Sequence, residues 1–160
     1  MSVLVLPTPK RISRRPRVTV CGSFNRHMKE VQHLIEELSD KGAIVLSPQA
    51  ALPWRTIAGG FLLLEGDRQH AGILRMDDPI RRVEDRHLDC IRQSDFICIA
   101  GRDGYVGDSV AFEIGVAIAC GVQIYAFVLP LEVRLACWVT IVPDVNMAVL
   151  NHTTERIGAQ

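Results

Sequence analysis

The chain has 160 residues, of which 48% are hydrophobic and 22% are charged, and its formal net charge is zero at pH 7. This length and composition are ordinary for one globular domain that buries a sizeable core. The neutral balance excludes the strong positive field by which nucleic-acid-binding domains attract phosphate, so we expect no nucleic-acid partner.

The two ends of the chain are predicted to be tails around a single domain. We assign residues 1–16 to a flexible basic tail, residues 17–152 to the domain and residues 153–160 to a second tail. The apolar run at residues 3–7 is shorter than the apolar core of a secretion signal, about 7–15 residues, and its basic residues follow it. We therefore expect a cytoplasmic protein with no membrane partner, whose basic run is either a solvated tail or an anion-binding patch.

Five cysteines are spread along the chain and none forms a CxxC pair. Most lie within apolar runs, which favours their interpretation as small buried hydrophobes in a reducing compartment. Their odd number and spacing argue against a disulfide framework and against a zinc site. The residues are Cys21, Cys90, Cys98, Cys120 and Cys137.

From residue 17 onward the hydrophobic pattern alternates between short continuous runs and helical spacing. The runs predict strands at residues 18–21, 43–46, 95–100, 122–128 and 138–142. Helices are predicted at residues 28–38, 80–94 and 109–120, with a short one after Pro143. This alternation predicts an α/β, Rossmann-like (flavodoxin-like) fold, with three α/β/α layers and a five-stranded, mainly parallel sheet. Ligands of such sheets bind beyond the carboxyl ends of the strands.

Residues 49–79 interrupt the alternation and allow no firm assignment of secondary structure. Their prolines and glycines surround one apolar run at residues 61–64. A long irregular connection of this kind is more often a lid or a pocket wall than a plain linker. Trp54 and Phe61 could supply a stacking wall and Asp67 a polar contact for a ligand, although core or solvated roles fit these residues at least as well.

The turn after the first predicted strand, GSFNRH at residues 22–27, has features of an anion-binding loop. Gly22 would let the backbone approach a ligand, Ser23 offers a hydroxyl group, and Arg26 offers a bidentate phosphate contact. The amide groups at the start of the following helix also attract anions. A glycine and a serine are equally common in a plain turn and helix cap, so both interpretations stand.

A predicted helix that is apolar on nearly every side carries Glu113 near its start. By helical spacing Glu113 shares one face with Val116, Ala117 and Cys120. Compensation of the helix dipole by the Glu113 charge is one explanation, worth about 0.3–1 kcal/mol. A capping box does not explain Glu113, because it requires a spacing of about three residues and Ser109 precedes Glu113 by four. Since an unpartnered buried carboxylate is costly, we favour a functional role for Glu113 in a cleft.

Three consecutive stretches carry a resemblance: DFICI at residues 95–99, DGYVGDS at 103–109 and EIGVAIACG at 113–121. Together they resemble the nucleoside 2-deoxyribosyltransferase-like superfamily, which includes nucleoside deoxyribosyltransferases and deoxynucleoside 5'-monophosphate N-glycosidases. CGSFNR at residues 21–26 is similar to the phosphate loop of the glycosidase branch. The resemblance covers about residues 17–128 and is specific at the Glu-Ile-Gly helix and the loop before it.

The resemblance implies that Glu113 attacks the anomeric carbon of a nucleoside, that the base leaves, and that a glycosyl-enzyme ester forms. Where the family commonly has an aspartate that assists the leaving base, this chain has His87, flanked by Asp85 and Asp89 on a different helix face. His87, Asp85 and Asp89 are therefore the further catalytic candidates. The candidate substrate-binding residues are Gly22, Ser23, Asn25, Arg26, Tyr105, Gly107, Asp108 and Ser109.

The sequence thus predicts an enzyme that cleaves or transfers the N-glycosidic bond of a nucleoside or a nucleoside 5'-monophosphate, with no metal and no cofactor. A non-catalytic nucleotide-binding module on the same fold is the alternative. The related phosphoribohydrolase chemistry is disfavoured because a Pro-Gly-Gly-x-Gly-Thr loop is absent. The resemblance and the apolar segment at residues 128–138 also predict a homodimer or a larger homo-oligomer.

Overall fold

The protein is described by a computed structural model that covers residues 14–68 and 79–154. In chain order its strands are β1 (Arg17–Cys21), β2 (Ile44–Ser47), β3 (Pro53–Thr56), β4 (Leu62–Leu64), β5 (Phe96–Ile99), β6 (Gln123–Ala126) and β7 (Thr140–Ile141). Five of these strands form one sheet in the order β2-β1-β5-β6-β7, and every neighbouring pair is parallel. The predicted α/β, Rossmann-like fold is confirmed, with the sheet parallel throughout instead of mainly parallel.

Helices cover both faces of the sheet, because side chains that alternate along each strand are apolar on both sides. The helices are α1 (Phe24–Asp40), α2 (Pro79–Gln93), α3 (Asp108–Ala119), α4 (Val133–Ala136) and α5 (Val145–Thr154). Helices α1 and α5 pack on the face that includes Val18, Val20 and Phe96. Helices α2 and α3 pack on the opposite face, which includes Cys21 and Ile97. Among the described helices, none is long and apolar enough to cross a membrane.

A small antiparallel hairpin of β3 and β4 occupies residues 53–64 of the segment that had no firm predicted secondary structure. Its strands are short, and β3 is mostly exposed. They therefore lack the alternating apolar pattern that identifies a half-buried strand. At the turn between them, Gly59 and Gly60 both have a φ of 78°, a conformation that favours glycine. Residues 69–78 of the same segment lie outside the described residues.

The predicted tails only partly coincide with the structure. Residues 1–13 and 155–160 lie outside the described range. The end of the predicted basic tail is bound to the domain, because the Arg15 guanidinium donates to the carbonyl oxygens of Gly42 and Ala43. At the other end, α5 continues to Thr154, beyond the predicted boundary at residue 152.

The interpretation of all five cysteines as buried hydrophobes was wrong for two of them. Cys21 and Cys98 are buried in the sheet and Cys90 is half-buried, but Cys120 and Cys137 are exposed. Cys120 follows the last turn of α3, where the apolar helix pattern reaches solvent. None of the five thiols is in a disulfide.

The sheet order places a crevice between β1 and β5. From β1 the chain continues through α1 to β2 on one side, whereas from β5 it continues through α3 to β6 on the other. At such a switch point the loops that follow the two central strands separate and leave room for a ligand. The two loops here begin at Gly22 and Gly101, which is where the sequence predicted the site.

Candidate functional site

A cleft of about 430 Å³ opens at the carboxyl ends of β1 and β5. This volume falls within the range of small-molecule sites, roughly 300–1,000 Å³. Its walls are the loop after β1, the start of α3, one face of α2 and the β3–β4 hairpin. Predicted site residues that line it are Gly22, Ser23, Asn25, His87, Tyr105, Gly107, Asp108, Ser109 and Glu113, together with Phe61 and Asp67 from the irregular connection.

Glu113 forms the buried end of the cleft. It lies in α3 and is 6% exposed, and the apolar residues Val110, Ile114 and Ala117 of the same helix are buried around it. Its Oε1 lies 3.5 Å from His87 Nε2, whereas its Oε2 is buried and has no hydrogen-bond partner among the residues that the structure describes. A buried carboxylate oxygen without a partner is costly, and such groups in native proteins often belong to a functional site.

His87 is held at both ring nitrogens. Its Nδ1 is hydrogen-bonded to Ser47 Oγ at the end of β2, at 2.7 Å. Its Nε2 faces Glu113 and, at 4.0 Å, the thiol of Cys21. Both ring nitrogens of His87 therefore have partners within the protein.

Cys21 completes a compact group of three buried side chains. One potential metal-ligand atom from each of Cys21, His87 and Glu113 lies within 4.8 Å of the other two. Burial, followed by the charge of Glu113, raises the pKa of the Cys21 thiol well above its usual range. These are the described residues whose arrangement is suited to a metal ion.

Glu84 is a site residue that the sequence analysis missed. It lies one helical turn before His87 on α2, lines the cleft and is half-buried. Burial, followed by the charge of Glu113, raises the pKa of the Glu84 carboxyl, while His87 opposes the shift. The spacing of residues 84 and 87, which places both on one helix face, was the signal available in the sequence.

Asp67 links the end of the β3–β4 hairpin to helix α2. The carboxylate of Asp67 accepts a hydrogen bond of 2.8 Å from the backbone N–H of Leu64 and lies 3.9 Å from the guanidinium of Arg86. Asp67 lines the cleft, but these contacts give it a structural role as well. Trp54, in contrast, is not among the described residues that line the cleft, and its ring lies 5.5 Å from the Arg55 guanidinium.

Arg26 is turned toward the other central loop and does not line the cleft. Its guanidinium contacts Asp103 through two nitrogens, at 2.9 and 3.0 Å, and lies 4.2 Å above the Tyr105 ring. Asp103 also accepts from the Tyr105 backbone N–H at 3.1 Å, and His27 Nε2 lies 3.1 Å from the same carboxylate. The Tyr105 bond, with smaller contributions from His27 and Arg26, lowers the pKa of Asp103 from 3.8 to about 2. Arg26 therefore ties the two loops together instead of presenting a free phosphate contact.

Asp85 and Asp89 lie outside the cleft. Both are exposed on α2, where Asp85 lies 3.5 Å from Arg81 and Asp89 lies 2.6 Å from Arg92. The structure therefore does not bring these two catalytic candidates to Glu113. Their position follows from helical geometry, since neither residue shares a face with His87.

The loop before α3 presents predicted polar residues to the cleft. The N-cap of α3 is Gly107, which has no side chain and so makes no side-chain capping hydrogen bond. Asp108 is the acidic residue of the first turn, and with Ser109 it lines the cleft that Glu113 also lines.

No protein-family model matches the chain, and no curated protein matches it. The function of this site is therefore inferred from its geometry, its chemistry and the resemblance of residues 95–121.

Proposed function

We propose that the protein cleaves or transfers the N-glycosidic bond of a nucleoside or a nucleoside 5'-monophosphate through a covalent intermediate on Glu113. The observation that carries this proposal is a buried carboxylate at the end of a cleft, with one oxygen lacking a hydrogen-bond partner in the described structure. The resemblance of residues 95–121 to the nucleoside 2-deoxyribosyltransferase-like superfamily supports the same chemistry. The cleft volume suits a single nucleoside unit.

In the first step a carboxylate oxygen of Glu113 attacks the anomeric carbon of the sugar. A carbon–oxygen bond forms, the carbon–nitrogen bond breaks, and the electron pair of that bond leaves with the base. The leaving nitrogen or another base atom takes up a proton from the enzyme. In the second step water or another base attacks the same carbon and gives up a proton to the group that donated one in the first step. The ester bond breaks, and Glu113 is regenerated as a carboxylate with net retention of configuration.

We propose Glu84 as the proton donor to the leaving base. Its carboxyl group lines the same cleft as Glu113, and burial together with the Glu113 charge raises its pKa and favours its protonated form. The other charged groups around it are His87, which opposes this effect, and Asp67 and Asp85, which reinforce it. A protonated carboxyl group near a nucleophilic carboxylate is the usual arrangement for glycosidic bond cleavage.

His87 is proposed as a positioning residue for Glu113. Ser47 fixes the ring through Nδ1, so that Nε2 faces the carboxylate. Loss of the ring would leave the Glu113 carboxylate without its neighbour at Oε1 and free to rotate. His87→Gln should therefore lower kcat more than it raises KM, because the ring nitrogens contact the nucleophile and Ser47.

We further propose a homodimer or larger homo-oligomer that acts in the cytoplasm on small molecules. Four large apolar side chains at residues 128–138 are more than half exposed: Leu129, Leu131, Val133 and Trp138. The same segment contacts the cleft loop, because the Leu131 N–H donates to the Gly104 carbonyl at 2.9 Å. A second subunit on this surface would therefore lie beside the site. Five thiols outside disulfides suit a reducing compartment.

The activity is tested by incubating the protein with a panel of nucleosides and 5'-monophosphates and measuring free base by chromatography. Glu113→Gln should fold normally and lose base release by several orders of magnitude, because an amide is a poor nucleophile. Asp89→Asn is the matched control on a surface acid and should retain activity. Binding without base release from any member of the panel would instead favour a non-catalytic nucleotide-binding module.

A further inference from the structure

We propose that Cys21, His87 and Glu113 form a binding site for a Zn²⁺-class metal ion. The three residues come from β1, α2 and α3 and converge at the buried end of the cleft, with all three buried. They supply a sulfur, a nitrogen and an oxygen atom. Protein zinc sites use these three kinds of ligand.

The distances are close to those that a tetrahedral ion requires. With zinc–sulfur and zinc–nitrogen bonds of usual length, a tetrahedral ion separates the two ligand atoms by about 3.6 Å. In the structure Cys21 Sγ and His87 Nε2 are 4.0 Å apart, and His87 Nε2 and Glu113 Oε1 are 3.5 Å apart. For these two pairs the difference from tetrahedral separations is a few tenths of an ångström. The third pair, Cys21 Sγ and a Glu113 carboxylate oxygen, lies within 4.8 Å, so the Cys21 or Glu113 side chain rotates to bring all three atoms to bonding distance.

The surroundings of the three ligands also favour metal binding. Ser47 holds His87 through Nδ1 and leaves Nε2 directed at the other two ligands, which is how protein metal sites orient a histidine. Glu113 Oε2 is buried and has no hydrogen-bond partner within the described ranges, so the carboxylate has an oxygen available to an ion. A thiolate and a carboxylate would together balance the two positive charges of the ion.

The mixture of ligands selects the class of metal. Thiolate and imidazole favour Zn²⁺ and similar transition ions over Mg²⁺ and Ca²⁺, which prefer oxygen ligands. Three protein ligands leave a fourth position, and His87 and Glu113 both line the cleft, so this position faces the cleft. If Glu113 is also the nucleophile, bound metal would compete with the glycosidic chemistry; this consequence, unlike the metal site itself, rests on the proposed function.

The test is a titration of the metal-free protein with Co²⁺, which replaces Zn²⁺ and absorbs visible light when bound in a tetrahedral site. We expect visible bands and a thiolate-to-cobalt charge-transfer band that saturate at one ion per chain and disappear when Zn²⁺ is added. Cys21→Ser should lose the charge-transfer band, and His87→Gln and Glu113→Gln should lose or strongly weaken the visible bands. Cys98→Ser, a matched buried cysteine on the opposite face of the sheet, should leave the spectrum unchanged.

Equilibrium dialysis with Zn²⁺ provides a second measurement that does not depend on any variant. One Zn²⁺ retained per wild-type chain supports the site. Absence of stoichiometric Zn²⁺ or Co²⁺ binding, or a charge-transfer band that persists in Cys21→Ser, would overturn it. Neither measurement involves base release, so failure of the metal site and failure of the glycosidic activity give different results.

Discussion

The substitution Gly22→Ala would place a methyl group in a closely packed part of the core. A Cβ at this position would lie 2.9 Å from Val31 Cγ2 and 3.0 Å from Ala100 Cβ. Both neighbours are buried, so α1 and the residue after β5 pack too closely around Gly22 for a side chain to fit without rearrangement. This packing explains the glycine without the approach to a ligand that the sequence suggested.

The expected magnitude follows from this overpacking. Gly22→Ala should lower the free energy of unfolding by about 1–3 kcal/mol, the usual cost of forcing an extra methyl group into a packed core. Val31→Ala alone should cost roughly 2 kcal/mol, because it removes two buried methyl groups and leaves a cavity. In the double variant the new methyl group occupies the space that Val31 vacates, so the two costs should be less than additive by about 0.5 kcal/mol or more.

Urea denaturation of the wild type, the two single variants and the double variant measures these four free energies. A Gly22→Ala variant within about 0.5 kcal/mol of the wild type would refute the packing explanation. Strictly additive costs in the double variant would refute the contact with Val31. If stability were unchanged while nucleoside binding disappeared, the glycine would instead serve the approach of a ligand.

Three further predictions concern the site and the surface. Because Glu84 must be protonated to donate, kcat/KM should fall as the pH rises through the raised pKa of Glu84. Glu84→Gln should lose this decrease at high pH, and a pH profile unchanged by the substitution would exclude Glu84 as the donor. Since Arg26 already pairs with Asp103, Arg26→Ala should change the ratio of the affinities for a monophosphate and its nucleoside by less than about threefold, as measured by calorimetry. A tenfold or larger loss of this preference would show that Arg26 leaves Asp103 to bind phosphate. Light scattering at micromolar concentration should give a particle mass that is a multiple of the 17.8 kDa chain mass, and Leu131→Glu should shift this mass toward that of the monomer. A monomeric wild type that turns over substrate would contradict the proposed assembly.

The main elements could be predicted because each has a strong local pattern. The strands of the parallel sheet are continuous apolar runs, and α2 carries Leu88 and Ile91 at helical spacing, both buried as expected. The hairpin had no such pattern, since β3 is mostly exposed and β4 has three residues. The four-residue helix α4 also went unpredicted, because it buries none of its residues and so shows no apolar face.

The site was only partly predictable because its contacts are distant in sequence. Glu113 was identifiable as a charge on an apolar helix after a polar loop. The pairing of His87 with Ser47 and Cys21 joins residues 40 and 66 positions apart, and no local pattern indicates it. Arg26 was expected in a phosphate site, but its long side chain reaches Asp103 in a different loop, which only the tertiary structure reveals.

The proposed mechanism requires that a sugar becomes covalently attached to Glu113. Wild-type protein should be incubated with a nucleoside that carries fluorine at the 2-position of the sugar and then analysed by intact-mass and peptide mass spectrometry. The fluorine slows breakdown of the glycosyl ester more than its formation, so the ester accumulates. We expect a mass increase of one glycosyl unit on the peptide that contains Glu113, and none in Glu113→Gln. Base release without any adduct, or an adduct on another residue, would contradict the proposal.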